Sequence, residues 1–218
     1  MNILFVSSEA TPFAKSGGLG DVIGTLPAEL VKRGIGAGIM IPLYKSIKEK
    51  YATSLVLLET FNVQLAWRNQ YCGLYTIRES GVDYYFIDNE QYFKRDRYYG
   101  YYDDGERFAY FSKAAIEAVK HLEKKPDIIH CSDWQTALIP IYLRTLYEQD
   151  AYLRGIKTVF SIHNIEYQGR FNPYITGDVL GLSQEDEKLM IDGDSINLMK
   201  GAIKTSDALT TVSRSYAY

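Results

Sequence analysis

The sequence has little of what binds metals or cross-links chains. It holds 2 cysteines and 3 histidines in 218 residues. Cys72 and Cys131 lie far apart and form no CxxC, so both read as buried free thiols and a zinc site has few candidate ligands. No stretch approaches the ~20 apolar residues of a membrane span. The opening Met1 to Val6 has no basic segment and too short an apolar run for a secretory signal. There is no excess of basic charge either: 24 Lys and Arg stand against 27 Asp and Glu. A net charge of −3 argues against a general nucleic-acid partner. The expectation is a cytoplasmic, reduced protein with no metal, no cofactor and no membrane contact. Hydrophobic residues at 46% and charged residues at 23% are enough for a sizeable globular core.

What the chain does have is tyrosine. There are 19, against 9 Phe and 2 Trp. A core gains little from so many hydroxyls. Tyrosine offers a flat apolar face with a polar tip, which suits a surface holding something both apolar-faced and hydroxylated, such as a sugar. A compositional habit of the source proteome explains the count equally well.

Ile3 to Ser7 reads as a buried strand. A glycine-rich loop follows, then a helix over about Gly20 to Arg33 with Val22, Ile23, Leu26 and Leu30 on one face. Pro27 predicts a kink or break in it. Ala37 to Leu43 completes a βαβ unit and implies a parallel sheet. Leu55 to Trp67, Tyr71 to Arg78 and Asp83 to Asp88 read as strands with short connectors, an antiparallel addition. Tyr92 to Asp104 is a loop, and Gly105 to Leu122 a helix with one apolar stripe. Alternation resumes with strand Ile128 to Cys131, helix Trp134 to Tyr147 and strand Lys157 to Ile162. A helical stretch at Asp194 to Lys204 and strand Ala208 to Val212 follow. The fold class is α/β, a Rossmann-like parallel sheet flanked by helices with an antiparallel hairpin addition.

Chemistry gathers at strand ends. Lys15-Ser16-Gly17-Gly18-Leu19-Gly20-Asp21 follows the first strand and opens a helix. Two glycines permit close backbone approach, the helix N-terminus attracts anions, and Lys15 adds a charge, so the loop suits a phosphate. It is neither G-x-G-x-x-G nor a P-loop, and a plain turn is the alternative. Asp133 and Trp134 follow the strand ending in Cys131. Taken alone, Asp133 reads first as an N-cap and second as a hydroxyl-binding carboxylate. Trp134 is either a stacking platform or a core anchor. His163 ends the next strand. Polar groups at three successive strand ends aim at one edge, which favours a ligand site. Asp192-Gly193-Asp194 spells D-x-D, but it precedes a helix that Asp194 would cap, and no metal site is read from it. The run Lys94 to Tyr102 mixes basic and aromatic residues, weak evidence for single-stranded nucleic acid.

These motifs resemble those of bacterial glycogen synthases and plant starch synthases. Lys15 to Val22 is similar to that family's KTGGLGDV loop, with Ser16 for Thr. Ser7-Ser8-Glu9, Tyr99-Gly100, Asp103 to Phe108, Asp133-Trp134-Gln135-Thr136-Ala137, His163 to Gly169, Ile196 to Ala202 and Leu209 to Ser213 also fit, in order. The resemblance implies a retaining glucosyltransferase of the two-Rossmann-domain GT-B type, carrying glucose from ADP-glucose or UDP-glucose to the non-reducing end of an α-1,4-glucan. It implies that residues 1–218 form the N-terminal, acceptor-side domain, and that a covalently linked nucleotide-binding domain lies outside this chain. It implies that His163 lies against the transferring glucose and that Asp133 hydrogen-bonds in the sugar pocket. Lys15, Gly17 and Gly18 would meet the donor, and Glu9, Asp21, Tyr99 and Trp134 the acceptor. Gln135 departs from the family's usual His. Such a chain is expected to fold but not to catalyse alone. The competing reading is a stand-alone glucan- or sugar-phosphate-binding module.

Overall fold

A computed structural model describes residues 1–213. The elements run β1 (Asn2–Val6), α1 (Gly18–Lys32), β2 (Gly36–Pro42), α2 (Lys45–Lys50), β3 (Val56–Leu65), β4 (Arg68–Glu79), β5 (Val82–Asp88), α3 (Glu90–Phe93) and α4 (Asp104–Ala118). They continue β6 (Ile128–Ser132), α5 (Leu138–Arg144), β7 (Lys157–Ile162), β8 (Arg170–Phe171), α6 (Ile175–Asp178), α7 (Gln184–Glu187), β9 (Ile191–Asp192), β10 (Ser195–Asn197), α8 (Leu198–Thr205) and β11 (Ala208–Thr211).

The main sheet has eight strands in the order β11-β7-β6-β1-β2-β5-β4-β3. Strands β11 through β5 in that order are parallel, and β4 and β3 add to β5 antiparallel. Central strands of a parallel sheet are covered on both faces and need unbroken apolar runs. Leu4-Phe5-Val6 and Ile39-Met40-Ile41 supply them, all buried. The expected fold class holds, and β5 proves to be both the last parallel strand and the root of the antiparallel pair.

Four expectations fail locally. Of the kink or break expected at Pro27, the break does not occur: helix α1 is continuous through it. The ring is buried on the same face as Gly20 and Ile23, and that packing offsets the missing N–H. Helix α4 shows no single stripe; it is buried almost throughout, wedged between β3 and α5. The helix foreseen at Trp134 to Tyr147 is a 3-10 turn, Trp134–Thr136, followed by the shorter α5. Asp194 caps nothing. Gly193 and Asp194 form the two-residue turn between β9 and β10, whose Asp192 and Ser195 pair across it. Asn197 caps α8 instead, accepting the Lys200 N–H at 3.0 Å. Asp192 is held by Arg170 (2.5 Å) and Lys200 (3.3 Å). The D-x-D is a hairpin turn with a paired carboxylate.

Some of the tyrosines serve the core. Tyr84, Tyr92 and Tyr110 are buried. The Tyr84 hydroxyl donates to Thr11 O (2.9 Å), that of Tyr110 to Tyr71 O (2.6 Å), and that of Tyr92 to Glu106 (2.6 Å). These rings fill the core while their hydroxyls satisfy polar groups that burial would otherwise leave unpaired.

Candidate active site

From β1 the sheet grows outward to β2 and β5 on one side, and to β6, β7 and β11 on the other. The direction of growth reverses between β1 and β6, and a crevice opens beyond the C-terminal ends of strands at such a point. Here it is a cleft of about 840 Å³. Glu9 after β1, Gly17 and Gly18 at the start of α1, and Tyr99 before α4 line it, with Asp133, Trp134 and Gln135 after β6 and His163 after β7. Seven of the nine candidate residues therefore meet in one place. Lys15 and Asp21 do not line it. They pair with each other at 2.7 Å, both half exposed.

Asp133 is the joint between two strand ends. Its carboxylate accepts the backbone N–H of His163 (2.7 Å) and of Asn164 (3.2 Å). The side chain makes no cap to the following turn, so the N-cap reading is corrected. The reason is in the backbone. Asp133 has φ 59 and ψ −179, a conformation open mainly to glycine, which turns the carboxylate across to β7. Burial raises its pKa, against the two N–H donors that lower it. Burial lowers the His163 pKa, with Asp133 opposing, so the ring is neutral at pH 7. His130, behind them on β6, is pushed down to about 4 by burial and then by His163. Its Nε2 lies 2.5 Å from Ser161 Oγ, and its ring packs 4.7 Å from Phe5.

Glu9 organises the glycine loop. It is 3% exposed. Its carboxylate accepts the Ser16 N–H, the Ser16 hydroxyl (2.6 Å) and the Gly17 N–H (3.4 Å). The Tyr99 hydroxyl donates to it at 2.7 Å and lies 2.8 Å from Ser8 Oγ. Burial first, then Tyr44 and Glu9, hold the Tyr99 pKa well up, so this hydroxyl stays a donor. Gly17 is extended, with φ −153. A Cβ on Gly17 or Gly18 would meet nothing within 4 Å. Neither backbone conformation nor internal packing demands glycine there. The space a side chain would fill is cleft.

Trp134 is a core anchor. It is 9% exposed, edge-on to Phe108 at 5.2 Å and tilted on Phe171 at 5.6 Å. Gly169 (φ 65) passes so close that its Cβ would sit 2.8 Å from the indole. Gln135 is buried, and its Oε1 has no partner among the described residues.

Sequence reasoning missed the support behind Tyr99. Asp104 accepts the N–H groups of Gly100 (2.7 Å) and Tyr101 (3.2 Å), and it pairs with the fully buried Arg107. Arg107 donates to the carbonyls of Tyr92 (2.8 Å) and Tyr98 (3.2 Å). The signal was present as Asp and Arg three apart on an apolar helix. Tyr44, whose hydroxyl donates to Ser8 O at 3.0 Å, gave no such signal.

Residues 2–218 match the family model described as "Starch synthase catalytic domain". The chain belongs to this family. It is 50% identical over 221 residues to a glycogen synthase of Clostridium botulinum (strain Alaska E43 / Type E3), matched along all of this chain and 46% of that protein. It is 46% identical over 220 residues to a glycogen synthase of Lactobacillus acidophilus, again covering 46% of it. Among solved structures, it is similar to the catalytic domain of Starch Synthase IV from Arabidopsis thaliana bound to ADP and acarbose. The TM-score is 0.87 at 32% identity, over 99% of this chain and 45% of that one. The chain thus spans about half the length of the curated relatives it matches. Its architecture is the N-terminal half of the GT-B fold.

Proposed function

We propose that this chain supplies the acceptor side of a glucosyltransferase that moves glucose, with retention, from ADP-glucose to the non-reducing end of an α-1,4-glucan. The observation that carries the reading is the Asp133–His163 joint, which sets a carboxylate and a neutral imidazole at the cleft beside two glycines that nothing inside the fold requires. In the transfer, the bond from glucosyl C1 to the diphosphate oxygen breaks and a bond from C1 to the acceptor hydroxyl oxygen forms. The acceptor's proton leaves with the departing phosphate. Negative charge grows on the diphosphate, and the N-terminus of α1 with Lys15 is suited to stabilise it. For that, Lys15 must leave Asp21, an exposed pair whose loss costs about 0–1 kcal/mol. His163 and Asp133 hold hydroxyls of the transferring glucose. Glu9 keeps the glycine loop in place, and Tyr99 and Trp134 wall the acceptor side. No metal or other cofactor enters this scheme.

A covalently linked second domain, lying outside this chain, closes the cleft and holds most of the nucleotide. The reaction is cytoplasmic, in keeping with two buried free cysteines. The test uses the 218-residue chain alone. With W67F leaving Trp134 as the sole indole, maltotriose is expected to change Trp134 fluorescence, while glucan elongation from ADP-glucose by the unsubstituted chain is expected to be absent. No fluorescence change at millimolar sugar refutes the acceptor assignment. Robust elongation refutes the need for a second domain.

A further inference from the structure

Glu9 and Tyr99 both line the cleft, yet their hydrogen bonds are spent inside the protein. An ionised carboxylate has about four lone-pair sites. Four donors reach that of Glu9: the Ser16 N–H, the Ser16 hydroxyl (2.6 Å), the Gly17 N–H (3.4 Å) and the Tyr99 hydroxyl (2.7 Å). No site is left for a sugar hydroxyl. Tyr99 has a single hydroxyl proton, and it goes to Glu9, while Ser8 Oγ lies 2.8 Å away and can donate in return. Both ends of this bridge are anchored. Tyr44 donates to Ser8 O at 3.0 Å, and Asp104 and Arg107 hold the backbone on either side of Tyr99. On the other side little else fixes the glycine loop. Gly17 gives α1 no side-chain cap, and the Lys15–Asp21 pair is half exposed. At residues 16 and 17 the buried anchor is Glu9.

We propose that Glu9 and Tyr99 are positioning residues for the donor. The Tyr99 hydroxyl stands on the acceptor wall, but it acts across the cleft, through Glu9, on the loop that meets the diphosphate. The inference rests on the function proposed above. Without the Tyr99 proton, one corner of the Glu9 carboxylate is free to turn, and the Ser16 and Gly17 N–H groups lose their fixed partner. The first turn of α1, whose N–H groups face the diphosphate, begins at the next residue and moves with them. A displacement of about 1 Å is enough to cost a large factor at a site built on fixed donors. Tyr99 thus gives its ring to the acceptor side and its hydroxyl to the donor side.

The experiment uses the chain joined to the second domain of the glycogen synthase it resembles, with ADP-glucose and glycogen varied separately. Y99F keeps the ring and removes only the hydroxyl. It is expected to raise KM for ADP-glucose about tenfold and to leave KM for glycogen within about twofold. S16A removes another donor to Glu9 and is expected to act in the same direction. Y99F/S16A is expected to fall short of the product of the two effects, because both work on one carboxylate. A raised KM for glycogen in Y99F, with that for ADP-glucose unchanged, overturns the proposal. A double variant equal to the product also overturns it. A second readout needs no reaction. Trypsin cuts after Lys15, and Y99F is expected to speed that cut severalfold while the cut after Lys124 keeps its wild-type rate. Unchanged cleavage at Lys15 overturns the bridge. If wild type does not elongate from ADP-glucose while Y99F still speeds the Lys15 cut, the bridge stands and the donor reading falls.

Discussion

Replacing Asp133 separates what its carboxylate does for the fold from what it does for a sugar. In D133A the His163 and Asn164 N–H groups lose their acceptor. Hydrogen bonds to a charged group are worth about 1.5–3 kcal/mol each. Relief of a buried carboxylate, whose pKa burial raises, returns part of that. The net expected loss is about 2–4 kcal/mol. D133N keeps an oxygen in the same place and is expected to stay within about 1 kcal/mol of wild type. D133G loses the same hydrogen bonds as D133A but relaxes the backbone at φ 59, so it is expected to be about 1–2 kcal/mol more stable than D133A. Urea denaturation at neutral pH reads all three, and an unchanged m-value keeps the comparison valid. Should D133A equal wild type, or D133G fall below D133A, the joint does not hold the two strand ends as described.

Three further outcomes follow from buried groups. His130 titrates at about 4 when folded against 6.5 unfolded, so the unfolded chain takes up the proton first as pH falls. Stability from this group is full above pH 6.5 and drains by about 3 kcal/mol toward pH 4, and H130F should flatten that part of the acid slope; an unchanged slope refutes it. Gln135 carries a buried unpaired oxygen, so Q135M is expected to raise stability by about 1 kcal/mol in thermal melts while weakening maltotriose binding, and a lower Tm contradicts this. R107M leaves the Asp104 carboxylate without its cation and should cost about 3–5 kcal/mol, with faster proteolysis within residues 94–103; a loop as resistant as in wild type would show that Arg107 does not hold it.

Periodicity placed most strands because parallel β-strands and crossover helices leave apolar runs that need no tertiary knowledge to see. The βα alternation around β1, β2, β6 and β7 was legible for that reason, and so was the convergence of strand-end loops on one edge. Short α2, Lys45–Lys50, escaped because one turn and a half carries too few residues for a period. Asp133 was misread because its carboxylate's partners are backbone N–H groups at the end of β7, thirty residues on, and a local capping rule sees only the next turn. The role of each tyrosine stayed open because composition cannot tell a hydroxyl that faces a cleft from one that meets a buried carbonyl. The pairing of Lys15 with Asp21, and of Glu9 with the loop that follows it, are side-chain choices that motif spacing leaves open.

The central claim is that this cleft holds the glucose as it is transferred. The direct measurement is incorporation of labelled glucose from ADP-glucose into glycogen, with the chain joined to the second domain of the glycogen synthase it resembles. Wild type is expected to elongate, and D133N and H163A to lose at least about a hundredfold in kcat while staying folded. Elongation at the wild-type rate by D133N and H163A, both folded, would contradict the claim.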